Sequence, residues 1–333
     1  MRYFIFWITF LIVSSGVGCS QIIKIATYNI YFLDEGISEQ RKIKLQKVIE
    51  ELDADIIGFQ EINNPAALRN ILTENYDIAM IDDPNEVQEV ALAVRAPFKI
   101  KSYSYVFPDS TYDDAFPRKR DLLQVIVEGY GREFVFLVHH AKSRRGGRMN
   151  TDRRREAASM LILDYIKSNL LEKNVILMGD FNDNPDDRSL NILEYGVKNA
   201  TAGIDTIEDS FLFNTTEQLL ENDICSFDYF LIYKDGVSER FNPVVRGSRA
   251  ENNKWRAKEY NYYRDVKIKA ILFDQILVSM NLKNNVLDAG VFNDSVAIKG
   301  ELSKIKFIDD NLIYTNRGTL ASDHVPVWTI LKL

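Results

Sequence analysis

The chain has few of the residues that cross-link small extracellular scaffolds or bind structural zinc. Its 333 residues include only two cysteines and three histidines. This composition excludes a disulfide-rich scaffold, and the absence of a Cys/His cluster argues against a structural zinc site. We expect Cys225, the cysteine outside the N-terminal region, to be a small buried residue rather than a reactive thiol. Stability must therefore come from a hydrophobic core.

The sequence also lacks an excess of positive charge. Its 41 basic and 48 acidic residues give a formal net charge of -7. Proteins that bind nucleic acids without specificity usually have a basic balance, so the composition argues against a general nucleic-acid-binding protein. It does not exclude a nuclease, because a catalytic groove needs only local positive charge. The apolar and charged fractions are those of an ordinary globular protein with a sizeable core.

No hydrophobic run is long enough to span a bilayer comfortably. The apolar stretch Tyr3–Val13 follows Arg2 and precedes small residues, which is the order typical of an export signal. Small residues directly before Cys19 resemble the bacterial lipoprotein signal, although Gly16 stands where that signal prefers Leu. We expect residues 1–18 to be a signal peptide and Cys19 to be lipidated, giving an exported lipoprotein of the outer membrane or cell surface. Cleavage elsewhere would give a secreted protein, and an uncleaved membrane anchor would also export the domain.

Strand-like apolar runs alternate with helical patterns along the rest of the chain. Apolar runs predict strands at residues 22–28, 55–60, 90–94, 122–127, 134–138, 174–178, 273–279 and 325–331, and periodicity and capping predict helices at 39–52, 66–72 and 151–170. The segment 199–263 is polar, aromatic and charged, so we expect it to form long loops or an insertion. No break in composition divides the chain. We predict one α+β domain over 22–333, with strands paired largely antiparallel in two sheets and helices outside.

Polar side chains repeatedly follow the predicted strands. Strand ends lie at one edge of a sheet, so these side chains can converge on one pocket. Several carboxylates in one pocket repel one another and need a cation, and carboxylate and amide oxygens suit Mg²⁺, Mn²⁺ or Ca²⁺. A bound cation stabilises negative charge on a phosphate, and Asp or His can orient or deprotonate water. The segments are Tyr28-Asn29, Gln60-Glu61, His139-His140, Gly179-Asp180-Phe181-Asn182, Asp274-Gln275 and Ser322-Asp323-His324.

These segments resemble, in content and order, the motifs of the endonuclease/exonuclease/phosphatase family. The similarity runs from about Lys24 to the C-terminus. Gly179-Asp180-Phe181-Asn182 together with Ser322-Asp323-His324 is its specific part; Gln60-Glu61 is less specific, and Asn29 alone is weak. The resemblance implies a four-layer α/β/β/α sandwich of two mixed, largely antiparallel sheets flanked by helices, with the site at one edge.

The resemblance also implies how the metal and the phosphate are held. Asn29 and Glu61 would bind the cation, Glu61 being the principal ligand, and Asp323 would lie near or on it. The cation would be Mg²⁺ or Mn²⁺, with Ca²⁺ as a further candidate. Asp180 would position the attacking water and Asn182 would contact the phosphate.

The same resemblance implies separate roles for His324 and His140. His324 would act as a base or stabilise the developing phosphorane, oriented by Asp274, because a paired carboxylate fixes the tautomer of an imidazole. His140 would be the general acid, and Glu89 would orient it. In abasic-site endonucleases an Asp stands at the position of Tyr31 and a Tyr at that of His140. Both differences argue against base-excision repair.

Neighbouring residues on a strand face opposite sides of a sheet, so only one of His139 and His140 can enter the site. We therefore expect His139 to be structural.

Basic residues flank the strand that carries His140. A phosphate backbone could pass there, and phosphate contacts give salt-dependent affinity without sequence specificity. We therefore predict a monomeric nuclease with nucleic acid as substrate, which touches the membrane only through its lipid anchor. A phosphatase or a sphingomyelinase-like lipid phosphodiesterase is the alternative, and a catalytically inactive surface binding protein of the same fold is a second. The basic residues are Arg118-Lys119-Arg120, Arg144-Arg145, Arg148 and Arg153-Arg154-Arg155.

Overall fold

The computed structural model describes residues 21–73, 75–117, 121–145, 148–203, 208–221, 224–227, 231–234, 237–240, 272–308 and 311–333. The predicted signal peptide and Cys19 lie outside these residues. No helix within the described ranges is long and apolar enough to cross a membrane.

The described residues form strands and helices in an order that begins and ends with strands. The strands are β1 (Ile22–Leu33), β2 (Ile56–Ile62), β3 (Tyr76–Met80), β4 (Glu89–Arg95), β5 (Lys99–Tyr105), β6 (Leu123–Gly129), β7 (Arg132–His140), β8 (Asn174–Asp180), β9 (Leu212–Asn214), β10 (Leu231–Lys234), β11 (Val237–Arg240), β12 (Asp274–Ser279), β13 (Val286–Val291), β14 (Lys304–Ile308), β15 (Asn311–Asn316) and β16 (Val327–Lys332). The helices are α1 (Glu39–Leu52), α2 (Pro65–Arg69), α3 (Arg148–Asn169), α4 (Arg188–Tyr195), α5 (Glu217–Glu221) and α6 (Ser295–Ile298). Short 3₁₀ helices cover Ser110–Tyr112 and Met280–Asn285.

Two six-stranded sheets form the centre of the fold. Their orders are β13-β16-β1-β2-β4-β3 and β5-β6-β7-β8-β12-β9, and two-stranded hairpins pair β10 with β11 and β14 with β15. Within the two large sheets, β1 with β2 and β7 with β8 are parallel pairs, and the other described pairs are antiparallel. The predicted pair of mixed, largely antiparallel sheets is confirmed.

Three apolar clusters separate four layers. Ile25, Leu92, Phe136 and Met178 belong to a cluster formed by the two sheets. A second cluster packs helix α1 against the outer face of the first sheet, and a third packs α3 and α4 against the second sheet. Each fully buried large apolar side chain contributes about 1.5–3 kcal/mol relative to an exposed one, so these three interfaces hold the layers together.

Helix α1 shows how capping residues and the spacing of apolar residues determine where a helix begins and ends. The Ser38 side chain accepts a hydrogen bond from the Arg41 N–H and caps the start, and left-handed Asp53 ends the helix. Leu45 and Val48 are buried at helical spacing, as the periodicity requires. Ile43, which the sequence pattern also assigned to the apolar face, is instead 54% exposed. The predicted bounds 39–52 are confirmed.

Other elements differ from the sequence prediction. Helix α3 begins at Arg148, before the predicted caps at Thr151 and Asp152. Strand β5 was not predicted, because its residues are mostly exposed and polar. Part of the segment predicted as an insertion is a strand, since β9 pairs with β12 at the edge of the second sheet. Residues 241–263 lie outside the described residues, so the extent of the insertion stays a prediction.

Strand register brings the polar strand ends together. Asn29 of β1 is opposite Gln60 of β2. In the second sheet His140 of β7 is opposite Asp180 of β8, and Asp274 of β12 is opposite the same Asp180. The strands thus place these side chains at one edge of the sandwich, as we expected from the polar residues that follow the predicted strands.

Gly179 allows the sheet to end in this arrangement. Its φ is +147°, and a Cβ at this position would lie 1.8 Å from the backbone carbonyl oxygen of His139 on the neighbouring strand. Backbone atoms of a central strand cannot move aside easily. Any side chain here must therefore separate β7 from β8 just before His140 and Asp180.

We predict that Gly179→Ala lowers the free energy of unfolding by at least about 3 kcal/mol, because the new methyl group overlaps a backbone oxygen. Gly131→Ala is the matched control, since Gly131 also has positive φ, +71°, but nothing lies within 4 Å of its added Cβ. The control should lose only about 1 kcal/mol from backbone strain. Denaturant unfolding measures both, and equal losses would contradict the packing argument.

Glu89, at the start of β4, is a buried acid. It is 1% exposed, and its carboxylate accepts a hydrogen bond from the Asp83 N–H, while its Oε2 has no hydrogen-bond partner within the described part of the chain. Burial raises the pKa of Glu89, the Asp83 hydrogen bond opposes the rise, and the carboxylates of Asp82 and Glu86 add to it. The pKa goes from 4.5 to about 8.

The folded state therefore keeps a proton on Glu89 that the unfolded state loses above pH 4.5. The contribution of Glu89 to stability is complete below pH 4.5 and is lost as the pH rises through about 8. We predict that Glu89→Gln, which keeps the acceptor for Asp83, becomes increasingly more stable than wild type over this range. Unfolding curves at several pH values measure the effect, with Glu50→Gln at an exposed position of α1 as control. A constant difference between wild type and Glu89→Gln would contradict it.

Candidate active site

A buried histidine–carboxylate pair joins the two sheets at the site. His324 Nδ1 lies 2.7 Å from Asp274 Oδ2, and both residues are almost completely buried. The same Asp274 oxygen accepts a hydrogen bond from the Ser226 hydroxyl at 2.6 Å. Burial alone would lower the pKa of His324, but the carboxylates of Asp274 and Asp180 outweigh it and raise the pKa to about 10. The arrangement therefore favours a protonated, fixed imidazole ring.

The backbone around His324 is held by a neighbouring serine. The Ser322 hydroxyl donates to the Asn29 carbonyl oxygen at 2.7 Å and accepts from the His324 N–H at 3.1 Å. These bonds link the segment before β16 to the end of β1. The predicted strand ends at Asn29 and His324 therefore meet through a defined contact rather than by proximity alone.

Asp180 lies at the centre of the site. Its Oδ2 accepts hydrogen bonds from the side-chain amides of Asn29 at 3.0 Å and Asn182 at 3.2 Å. The same oxygen is 3.7 Å from His140 Nε2 and 3.8 Å from His324 Nε2. Burial raises the pKa of Asp180 to about 7, His324 opposes the rise and the Asp274 carboxylate adds to it. An acid with a pKa near neutrality can accept a proton from water.

Glu61 approaches the same nitrogen of His140 as Asp180 does. Its Oε1 is 3.7 Å from His140 Nε2, and its Oε2 accepts a hydrogen bond from the Phe32 N–H at 3.2 Å. Glu61, Phe32 and Tyr31 have φ values of 64°, 48° and 49°, in the left-handed region that residues other than glycine rarely adopt. Such strain costs about 1–3 kcal/mol per residue and is commonly found at functional sites.

The carboxylates that would hold a cation surround Tyr31. Burial raises the pKa of Tyr31, and the charges of Asp323 and Glu61 raise it further. Oδ1 of Asn29 accepts the Tyr31 N–H at 3.0 Å, and an amide oxygen has a second lone pair for a cation. The oxygen donors of Asn29, Glu61 and Asp323 are of the type that Mg²⁺ and Mn²⁺ prefer. Among the described residues, no three His, Cys, Asp or Glu side chains are already arranged as a metal site.

Two sequence hypotheses concern the histidine pair and Glu89. His139 is buried between the edges of Phe116 and Phe181, at ring distances of 5.7 and 5.4 Å, in a position suited to packing. The carboxylates that approach His140 Nε2 are Glu61 and Asp180, whereas the contact found for Glu89 is the Asp83 backbone. The role of Glu89 in orienting His140 stays a prediction.

The predicted basic surface is partly wrong. Arg144 and Arg155 are 2% and 1% exposed and form ion pairs with Asp183, so they cannot lie on an open phosphate-binding face. Arg154 donates to the backbone carbonyl of Asp113. The sequence shows the charge of these residues but not their burial, because runs of arginine on a loop and a helix are usually solvated. Arg145 and Arg153 are exposed, whereas 118–120 and the side chain of residue 148 lie outside the described part.

Ser226 is a site residue that the sequence did not reveal. Besides donating to Asp274, its hydroxyl accepts the N–H groups of Phe273 and Asp274, both at 3.1 Å. It lies beside buried Cys225, whose predicted burial is confirmed. A lone serine within a polar segment carries no signal in the sequence.

Comparison with known proteins identifies the family and the fold. A family model described as the endonuclease/exonuclease/phosphatase family matches residues 37–235, more than half of the chain. No curated protein matches the chain.

Several solved structures have the same fold. D. rerio TDP2 complexed with a single-strand DNA product is 16% identical, with a TM-score of 0.53 over 93% of this chain and 98% of that chain. Truncated Caenorhabditis elegans TDP2 is 13% identical, with a TM-score of 0.55 over 94% and 98%. A family protein from Bacteroides thetaiotaomicron is 16% identical, with a TM-score of 0.53 over 94% and 98%. At these identities the likeness shows the fold alone. The family match and the fold together establish that the chain belongs to the endonuclease/exonuclease/phosphatase family, which comprises divalent-metal-dependent phosphoesterases and nucleases.

Proposed function

We propose that the protein is an exported phosphodiesterase that hydrolyses nucleic acid by in-line attack of water on a phosphate, using a divalent cation. The observation that carries the proposal is the buried His324–Asp274 pair at 2.7 Å, beside the buried Asp180. A histidine fixed between two carboxylates in a pocket with further acids is a costly arrangement for stability alone. It is well suited to binding a phosphate.

Asp180 would hold the attacking water. Its pKa, raised to about 7, suits it to accept the proton that the water loses as its oxygen bonds to phosphorus. In the free protein the Asn182 amide donates to Asp180 and to the Ala141 carbonyl oxygen, at 3.2 Å each, and one of these N–H groups would turn to a phosphate oxygen beside that water when substrate binds. Water and phosphate are thereby brought together in reactive geometry, and such positioning can contribute about 7–11 kcal/mol to lowering a barrier.

His324 would stabilise charge rather than remove a proton. Asp274 occupies Nδ1 and keeps the ring fixed, so Nε2 can donate to an oxygen of the five-coordinate phosphorus. Of the two roles considered for His324, stabilising the phosphorane therefore fits the contacts better than acting as a base.

His140 would complete the reaction. As the bond between phosphorus and the leaving oxygen breaks, His140 Nε2 would donate a proton to that oxygen. His140 Nε2 lies 3.7 Å from carboxylate oxygens of both Glu61 and Asp180, so it is placed beside the residues that would hold the cation and the water.

Glu61, Asp323 and the oxygen of Asn29 would hold the cation, Mg²⁺ or Mn²⁺, with Ca²⁺ as a further candidate. A cation bound there supplies positive charge that neutralises the phosphate as negative charge develops. The protein's own contribution is the strained backbone at Glu61 and the Phe32 N–H, which orient that carboxylate.

Nucleic acid is the proposed substrate, acted on by a monomer. A structural neighbour, D. rerio TDP2, was solved with a single-strand DNA product, which supports this substrate class for the fold. Arg145 and Arg153 are exposed after β7 and could contact a phosphate backbone. Because Arg144 and Arg155 are buried, the positive surface is smaller than the sequence suggested.

A lipid phosphodiester is the second candidate, and the β14–β15 hairpin favours it. Phe307 and Ile308 on this hairpin are 42% and 50% exposed. The Phe307 ring lies 5.5 Å from that of Phe32, whose N–H donates to Glu61. Exposed apolar groups beside a binding site are typical of surfaces that meet apolar partners. The third reading, an inactive binding protein, has less support because the polar groups expected of an active site are all present.

We predict that the protein cleaves DNA in Mg²⁺ or Mn²⁺ and loses this activity in a chelator. His324→Ala should reduce turnover by about 100-fold or more, the effect typical of losing one charge-stabilising donor. His139→Phe is the matched control, because it removes the neighbouring imidazole yet keeps a ring between Phe116 and Phe181. Its turnover per folded molecule should stay near the wild-type value.

The same assay separates the candidates. Initial rates should be measured on DNA, RNA, sphingomyelin vesicles and a phosphate monoester with equal enzyme and metal. Turnover of sphingomyelin or the monoester alone would reject the nuclease assignment. Near-normal turnover by His324→Ala would reject its role.

Export through lipidation of Cys19 is part of the proposal, carried by the sequence of residues 1–19. We predict that the wild-type protein fractionates with membranes, whereas Cys19→Ala accumulates as a precursor larger by residues 1–18. Mass spectrometry of the N-terminus measures this. An unmodified Cys19 in the mature protein, or cleavage at another position, would contradict it.

A further inference from the structure

A buried arginine contacts the turn that carries Asn182. Arg144 Nε donates to the Asn182 carbonyl oxygen at 2.8 Å, and Nη2 contacts the carboxylates of Asp183 at 3.2 Å and Asp187 at 2.5 Å. The guanidinium carbon lies 4.7 Å from the centre of the Phe273 ring. Arg144 is 2% exposed, so these contacts are made in the protein interior.

A second buried arginine joins the same turn to the chain that follows His140. Arg155 Nε lies 2.8 Å from Asp183 Oδ2, and its Nη1 donates to the Lys142 carbonyl oxygen at 2.8 Å. Its Nη1 also donates to the Thr151 hydroxyl at 3.1 Å. The two arginines therefore share Asp183 and connect the loops after β7 and β8.

The third loop of the site is attached to the same turn. The Asn184 side chain accepts the Leu272 N–H at 2.9 Å, and the Gln275 side chain donates to the Asp183 carbonyl oxygen at 2.8 Å. Leu272 and Gln275 flank Asp274. The chain segments next to His140, Asp180 and Asp274 are thus fixed relative to one another through residues 182–187.

This buried charge is expensive, and stability alone does not account for it. Removing two charges from water costs several kcal/mol per ion, and apolar residues of similar volume are often as stable. The network maintains one unusual conformation: Asn182 has a φ of 52°, in the left-handed region. Apart from glycine, asparagine is one of the few residues that visit this region, because its short polar side chain can hydrogen-bond locally. This conformation lets the Asn182 amide reach Asp180 and the Ala141 carbonyl, at 3.2 Å each.

We propose that Arg144 is a positioning residue for phosphate recognition, which acts by holding Asn182 in its left-handed conformation. The inference rests on the proposed function, because it assigns the Asn182 amide to the phosphate. Arg144 fits this role because its planar guanidinium bonds a carbonyl and two carboxylates in a fixed geometry, which the compact ammonium of lysine cannot reproduce. Arg144, which the sequence suggested as a surface contact to nucleic acid, therefore acts from the protein interior.

A double-mutant cycle tests whether Arg144 acts through Asn182. Arg144→Lys should lower kcat about tenfold or more, as small misplacements of a catalytic group do, and should leave KM and its salt dependence nearly unchanged. In an Asn182→Ala background, Arg144→Lys should have almost no further effect on kcat, because the group it positions is gone. The matched control is Arg188→Lys at the start of α4, because the Arg188 side chain donates to the Ala200 carbonyl and pairs with Glu156 rather than with residues 182–187. Its effect should be small in both backgrounds.

The other possible roles give different results. A direct contact to a nucleic-acid phosphate would raise KM and reduce the salt dependence of binding. A purely structural role would lower the melting temperature while kcat per folded molecule stayed constant. Losses that add in the double variant would also overturn the inference. If Arg144→Lys folds poorly, the charge-balanced pair Arg144→Met with Asp187→Asn replaces it, with the same expectation for kcat.

A crystal structure of Arg144→Lys supplies a readout that does not depend on turnover. The inference expects Asn182 to leave the left-handed region and its amide to lose the bond to Asp180. An unchanged Asn182 would overturn it. Absence of activity in the wild type on every phosphoester would instead overturn the proposed function, so the two failures are distinguishable.

Discussion

Repulsion among buried carboxylates is the constraint on which the site depends. Asp180 and Asp274 are opposite one another on neighbouring strands and are both almost completely buried. The His324 ring lies against both, 2.7 Å from one and 3.8 Å from the other, and offsets part of the repulsion. Glu61 and Asp323 add charge at the outer side, where the electrostatics favour a cation. A protonated imidazole offsets part of this charge, and the proposed metal ion would offset more.

The fold supplies this arrangement through strand register. Two parallel pairs, β1–β2 and β7–β8, end at the same edge, and β12 begins there. This arrangement needs glycine at position 179, because any side chain there would meet the backbone of β7 and separate His140 from Asp180. The catalytic geometry is thus a property of the sheets rather than of flexible loops. The loops that do contribute are fixed by the buried network around Arg144.

Much of the fold could be predicted because apolar runs and caps are local signals. The bounds of α1 follow from Ser38 and the spacing of Leu45, Val48 and Leu52, and β8 follows from an uninterrupted apolar run. The β14–β15 hairpin could not be predicted, because its exposed apolar residues follow no burial pattern. At the site, the fold brings Asp180, Asp274 and His324 together, as the resemblance of their motifs to the endonuclease/exonuclease/phosphatase family implied. Ser226 was missed, and Arg144 was wrongly assigned to the surface. Burial and contacts between distant segments cannot be read from the sequence of either segment alone.

The most direct test of the account is a crystal structure with Mn²⁺ and a short single-stranded DNA, with the metal located by its anomalous scattering. The account predicts one strong peak bound by Glu61 and Asp323, with a phosphate within hydrogen-bond distance of His324 Nε2 and the Asn182 amide. A metal bound elsewhere, or a phosphate that does not approach His324 and Asn182, would contradict it.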